Sequence, residues 1–184
     1  MTKTLLTTVF IALLSTASTQ NHHSGMNHSA AGANHKELKD LSGKAFDRAF
    51  LSMMIPHHEA AVDMSKAVLP TTKSAQVKAW AQAIIKAQNT EITLMKRLLT
   101  THGGSDKAMA TQMNSMMAGM VKDVHTASNR DRAFAKGMIP HHASAIEMAS
   151  HALKKSKNPT ILKLARDIVS SQTKEINQFR AYLK

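Results

Sequence analysis

"MIPHHEAAVDM" runs from Met54 to Met64, and "MIPHHASAIEM" runs from Met138 to Met148. The two phrases stand 84 residues apart, and the same offset holds without a gap from Asp47 and Asp131 through to Leu99 and Leu183. It pairs Asp47 with Asp131, Phe50 with Phe134, Ala61 with Ala145, Gln88 with Gln172 and Glu91 with Glu175. Such a repeat marks a duplicated structural unit, and residues kept in both copies were constrained twice. Within each phrase the kept positions recur at steps of three and four, the spacing of one helix face. Each unit therefore reads as a helical hairpin: a first helix carrying the phrase, then a second carrying an apolar seam. The seams are Val77, Trp80, Ile84, Ile85, Ile92 and Leu99 in one copy, and Ile161, Leu164, Ile168, Ile176, Phe179 and Leu183 in the other. Two such hairpins predict an all-α, four-helix bundle.

The units have readable ends. The first spans 41–102, with its first helix stopping at Pro70 and Ser74 or Thr71 available as the next cap. The second spans 128–184; Ser128 precedes "NRD" as a capping-box-like start, and Asn158 with Pro159 opens the last helix. Between them, 103–127 reads as a short Met-rich connecting helix. Pro56 and Pro140 lie inside the first helices, where proline removes a backbone bond at a cost of about 3 kcal/mol. A feature retained in both copies predicts a kink that re-aims the neighbouring side chains.

The composition agrees. The chain of 184 residues has 43% hydrophobic and 4% aromatic residues, few glycines and no pattern alternating apolar with polar. It has no cysteine, which excludes disulfides, thiolate metal sites and covalent haem attachment. Residues 1–17 read as an export signal: Lys3, then the apolar run Leu5 to Leu14, then the small residues of "STAS". The run is short for a membrane span, which needs ~20 residues. The expectation is a periplasmic or secreted chain that is not an integral membrane protein once the signal is removed. Its formal charge of +12 is spread along the helices without interleaved aromatics. That argues against nucleic acid and leaves a solvated basic surface, or attraction to an anionic partner.

Met54, His57, His58 and Met64, with Met138, His141, His142 and Met148, form the retained polar and sulfur set. Thioethers hold soft Cu(I), while imidazole accepts either copper oxidation state. Calcium needs clustered carboxylates, and the chain has 12 acidic residues in all. Adjacent histidines diverge by about 100° around a helix, so one helix cannot readily aim both at one ion. One of each pair should face the bundle axis. The other faces a second site or pairs with Asp63 or Glu147. Gln88, Glu91, Gln172 and Glu175 could hold the free imidazole N–H groups from the facing helices, with Asp47 and Asp131 as further supporting residues. Met113, Met116, Met117, Met120 and His125 of the connecting helix are a second candidate soft-metal set, or an apolar packing face. The arm at 18–40 should be disordered. Its His22, His23, Met26 and His28 suit metal capture, including Cu(II).

At these residues the chain resembles the family of exported helical proteins marked by a Met-Ile-Pro-His-His signature. That family has been catalogued as a domain of unknown function with a ferritin-like fold, and its best-known branch is the CopM-type periplasmic copper-binding proteins, or metallochaperones. The resemblance covers Asp47 to Leu99 and Asp131 to Leu183. It implies copper as cargo, Met54, His57, His58, Met64, Met138, His141, His142 and Met148 as ligands, a role in copper tolerance, storage or delivery, and other exported copper proteins as partners. Two other classes compete with this non-enzymatic reading. A ferritin-like or haem-binding bundle would be redox-active, but di-iron sites use Glu-x-x-His, which the chain lacks. A structural bundle would use the basic surface at the envelope.

Overall fold

A computed structural model describes Leu38 and residues 40–184. Among them are five α-helices and no strand: α1 Gly43–Val68, α2 Ala75–Thr101, α3 Lys107–Thr126, α4 Arg130–Lys155 and α5 Pro159–Leu183. The helices α4 and α5 repeat α1 and α2.

Local chemistry sets most of the boundaries. The Ser74 hydroxyl accepts from Val77 N to start α2, and the Asp106 carboxylate accepts from Met109 N to start α3. Asn129, not Ser128, caps α4 by accepting from Arg132 N. Asn158 takes two donors, Thr160 N and Ile161 N, and Pro159 occupies the first turn, where its missing N–H costs nothing. At the end of α2, Gly103 and Gly104 have φ of 86° and 77°, and Gly104 N closes onto Leu99 O. This left-handed pair turns the chain back toward α1. Both phrase-bearing helices run through their prolines without interruption.

Each hairpin packs within itself, α1 on α2 and α4 on α5, and the two join where α1 crosses α4. The crossing is antiparallel, with His57 beside Ser144 and Met64 beside Gly137. α3 then returns over α1 and touches α4 at its edge. This addition breaks the symmetry. Nineteen of the 26 residues of α1 are buried, against nine of the 26 in α4. α1 is therefore the central helix, enclosed by α2, α3 and α4. Phe134, Phe179 and Trp80 meet edge to face at the other end, closing one corner between α2 and α5.

The doubly bonded cap of α5 gives a direct check. We predict that Asn158→Ala lowers unfolding free energy by about 1 kcal/mol. Ser128→Ala, outside the cap, should leave it within error in the same urea titration.

Candidate metal centre

The site lies at the α1–α4 crossing. His57 and His141 meet there with ring centroids 3.8 Å apart. They are related by the repeat, so the pseudo-twofold axis of the bundle passes between them. Each is tied to the opposite helix: His57 Nε2 lies 2.8 Å from Ser144 Oγ, and His141 Nε2 lies 3.0 Å from the His57 carbonyl. The Ser144 hydroxyl already donates to His141 O, so it can only accept from His57. A carbonyl likewise only accepts. Both rings therefore carry their proton on Nε2, which leaves Nδ1 as the basic nitrogen.

The second histidine of each pair turns toward its own hairpin, as the 100° divergence requires. His58 Nε2 donates to Glu91 Oε2 at 2.7 Å. Glu175 Oε2 stands at the same 2.7 Å from His142 Nε2, but off the N–H direction, so neither ring nitrogen of His142 has an aligned partner. All four imidazoles are fully buried. The Nδ1 atoms of His58, His141 and His142 have no hydrogen-bond partner, and neither do the buried Oε1 atoms of Gln88 and Gln172. The expected alternative partners, Asp63 and Glu147, lie exposed on the outer face.

The methionines of the two phrases are buried in the same core. Met54 and Met148 belong to one buried apolar cluster, and Met64 and Met138 to the other. The antiparallel crossing thus pairs each methionine with the repeat partner of the other. One set comprises Met54, Met148 and His58; its image comprises Met138, Met64 and His142. All four methionines are fully buried. Met95, also fully buried, joins the first cluster, where its counterpart Phe179 joins the second. Among the described residues, no three histidine, aspartate or glutamate side chains are grouped as a metal site would need. A centre here must draw on thioethers, and with no thiolate in the chain that favours a soft monovalent ion. The residues fit that ion: buried imidazoles whose Nδ1 atoms have no hydrogen-bond partner at His58, His141 and His142, and buried thioethers on the same helices.

The remaining candidates lie elsewhere. Asp47 sits ten residues before His57, roughly 15 Å along the helix, with its Oδ2 3.7 Å from His102 Nε2. Asp131 is half-buried near the start of α4. Met113 and Met117 are buried under α3, and Met116 and Met120 are partly buried against the same core. His125 is exposed on α3. His22, His23, Met26 and His28 fall outside the described residues. Ser144 and His102 were not expected. Ser144 replaces Ala60 of the first copy, so a search for retained residues passes over it.

Each half of the chain separately matches a family model, a domain of unknown function called DUF305, over residues 12–99 and 100–183. The chain belongs to this family. CopM in its Cu(I)-bound form is 33% identical with a TM-score of 0.63, over 74% of this chain and 94% of that one. CopM in the Cu(II)-bound form is 32% identical with a TM-score of 0.64, over 74% and 96%, and an Ag-bound form obtained by soaking is 33% identical with a TM-score of 0.63, over 74% and 93%. A DUF305 fragment from Deinococcus radiodurans is 26% identical with a TM-score of 0.66, over 74% and 94%. The uncharacterized protein L153 of Acanthamoeba polyphaga mimivirus is 34% identical over 87 residues. That match spans 47% of this chain and only 57% of the curated relative.

Burial holds the pKa of His141 well below the usual imidazole range, helped by repulsion from His142 and His58 and opposed by its bond to the His57 carbonyl. Unfolded, the ring takes a proton near pH 6.5. Below that pH the unfolded chain binds the extra proton and the folded one does not. Stability is therefore complete above pH 6.5 and falls as the pH drops below it, by up to ~1.4 kcal/mol per pH unit. Urea titrations of the metal-free protein between pH 8 and 5 should show this loss. Glu91→Ala strands a buried N–H on His58 and should cost about 1–3 kcal/mol at pH 7.5 in the same titration.

Proposed function

We propose that the protein is an exported copper-binding protein that takes up Cu(I) in the bundle core and serves copper tolerance, storage or delivery rather than catalysis. The observation that carries this reading is the donor set. Four fully buried imidazoles share the core with four fully buried methionines, and the Nδ1 atoms of His58, His141 and His142 have no hydrogen-bond partner. Leaving such a group buried and unsatisfied costs about 1–3 kcal/mol. A bound soft cation offsets that cost, whereas a purely structural core would be more stable with apolar residues there. The similarity to CopM, solved with Cu(I), Cu(II) and Ag, points the same way. So does the Lys3–Leu14 leader, which supports export. No helix among the described residues is long and apolar enough to cross a membrane.

The ligands we assign are Met54, Met148 and His58 for one ion, and Met138, Met64 and His142 for the other. His57 and His141 meet at the crossing itself, each beside the second histidine of its own helix. The Glu91 carboxylate holds the outer nitrogen of His58 and orients the ring, while Glu175 stands 2.7 Å from His142 Nε2. The arm before residue 40, with His22, His23, Met26 and His28, would add an outer site open to Cu(II).

Competition against a chromophoric Cu(I) chelator tests the assignment. Two ions should bind per bundle. Met54→Leu/Met148→Leu should weaken one of them at least tenfold, and Met64→Leu/Met138→Leu the other. Leucine keeps the volume, so both variants should fold. Two ions bound at full affinity in both variants would sink the reading.

A further inference from the structure

The two halves of the bundle differ at one position beside the candidate centre in a way that packing does not explain. Met53 of α1 is buried, and its repeat counterpart in α4 is Gly137. Glycine is the poorest helix former after proline. The backbone does not need it here, since Gly137 is not among the glycines with positive φ. Nor does space. A Cβ at this position would lie 3.8 Å from Met64 Sδ and 3.9 Å from Val124 Cγ2, both ordinary contacts. An interior helical glycine without a conformational role points to what its missing side chain leaves open.

What it leaves open is a surface pocket of about 190 Å³ between α3 and α4, lined by Met120, Asp123, Val124, Lys136 and Gly137 among others. That is room for several waters, each taking ~30 Å³. Val124 is a wall of the pocket and also touches the space beside Met64, so the pocket and the buried sulfur of Met64 share one boundary. Met120 is partly buried in that wall and packs against both core clusters. One thioether thus stands at the surface, and a second lies just behind the glycine. Asp123 and Lys136 flank the opening. The carboxylate attracts a cation locally on a chain of net charge +12, and the ammonium opposes it. Met64 and Met138 share one apolar cluster with Phe179, whose ring lies 5.8 Å from that of His142, the imidazole with no aligned partner.

We propose that the pocket beside Gly137 is an entry site for a thiophilic monovalent cation, in which Met120 takes the ion at the surface and passes it to Met64. The proposal rests on the copper reading above and adds the route to one of its two sites. The route is one-sided. In the other half, Met53 fills the equivalent space and α3 covers α1. The set around Met64, Met138 and His142 therefore loads first, and the set around Met54, Met148 and His58 loads separately.

Stopped-flow transfer of Cu(I) from a chromophoric chelator to the full metal-free protein separates access from affinity; Ag(I) provides a second probe. Gly137→Met restores the residue of the other half and should close the pocket. It should leave the equilibrium stoichiometry at the wild-type value while slowing the fast phase at least tenfold. Gly137→Ala, which the geometry accommodates, should slow it less. Met120→Leu, which keeps volume but removes the sulfur, should slow the same phase. An unchanged fast phase in Gly137→Met and Met120→Leu, with wild-type stoichiometry, overturns the route and leaves the copper reading intact. Loss of an ion at equilibrium in Gly137→Met also overturns it, because Gly137 would then shape a site rather than admit an ion. If the wild type takes up neither ion, the copper reading fails and the route falls with it.

Discussion

The bundle depends on the contact between His57 and His141. At a centroid separation of 3.8 Å inside a dry core, the two rings cannot both carry charge. Each places an N–H on something that only accepts. The opposite helix supplies that acceptor in both cases, as the Ser144 hydroxyl and the His57 carbonyl. The contact therefore sets the register of α1 against α4. Sliding one helix by a single turn would strand both N–H groups and separate the methionine pairs. A satisfied buried polar network of this kind favours one arrangement of the helices over its neighbours. It leaves His141 Nδ1 buried without a hydrogen-bond partner.

Methionine is what lets the same residues serve packing and chemistry. A thioether fills an irregular core as well as a leucine does, and it carries no proton and no charge to desolvate. The buried, unexposed state of Met54, Met64, Met138 and Met148 is therefore not an argument against ligation. A carboxylate or thiolate in the same positions would need a permanent partner. The carboxylates that do approach, Glu91 and Glu175, are kept at the edge, partly exposed, where each stands 2.7 Å from the outer nitrogen of His58 or His142. Charge stays at the rim, and soft neutral donors occupy the interior.

Much of this architecture could be read from the 84-residue offset. It pairs α1 with α4 and α2 with α5, and the caps at Ser74 and Asn158 sit where side-chain chemistry alone puts them. The unequal burial of α1 and α4 could not be read this way. Ile55 and Val62 are buried, while Ile139 and Ile146, nearly identical in character, are only partly so. The difference comes from α3, which folds back over α1, and connectivity of that kind leaves no periodic trace in either helix. The histidine partners show the same limit. Asp63 and Glu147 are close in sequence and Glu91 and Glu175 are not, yet helix packing brings the distant pair to the rings. Ser144 escaped because its counterpart is Ala60: a residue needed on one side of a pseudo-symmetric contact leaves no mark in a repeat.

That broken symmetry decides how the two sets can differ. Their imidazoles and methionine pairs are images of one another, but their surroundings are not. Near His58 the apolar cluster includes Met95, a further sulfur. Near His142 the same position is Phe179, whose ring lies 5.8 Å from the imidazole and locks into Phe134 and Trp80. An aromatic corner is stiff and offers no donor, whereas a methionine is mobile and offers one. On the copper reading proposed above, the first set would enclose an ion more completely, and the second would hold it with fewer donors beside a surface pocket. A duplicated unit that kept its central donors while changing their neighbours would have one position suited to retention and one to exchange. For a cargo that must be captured and later released, two unequal positions in one core serve better than two equal ones.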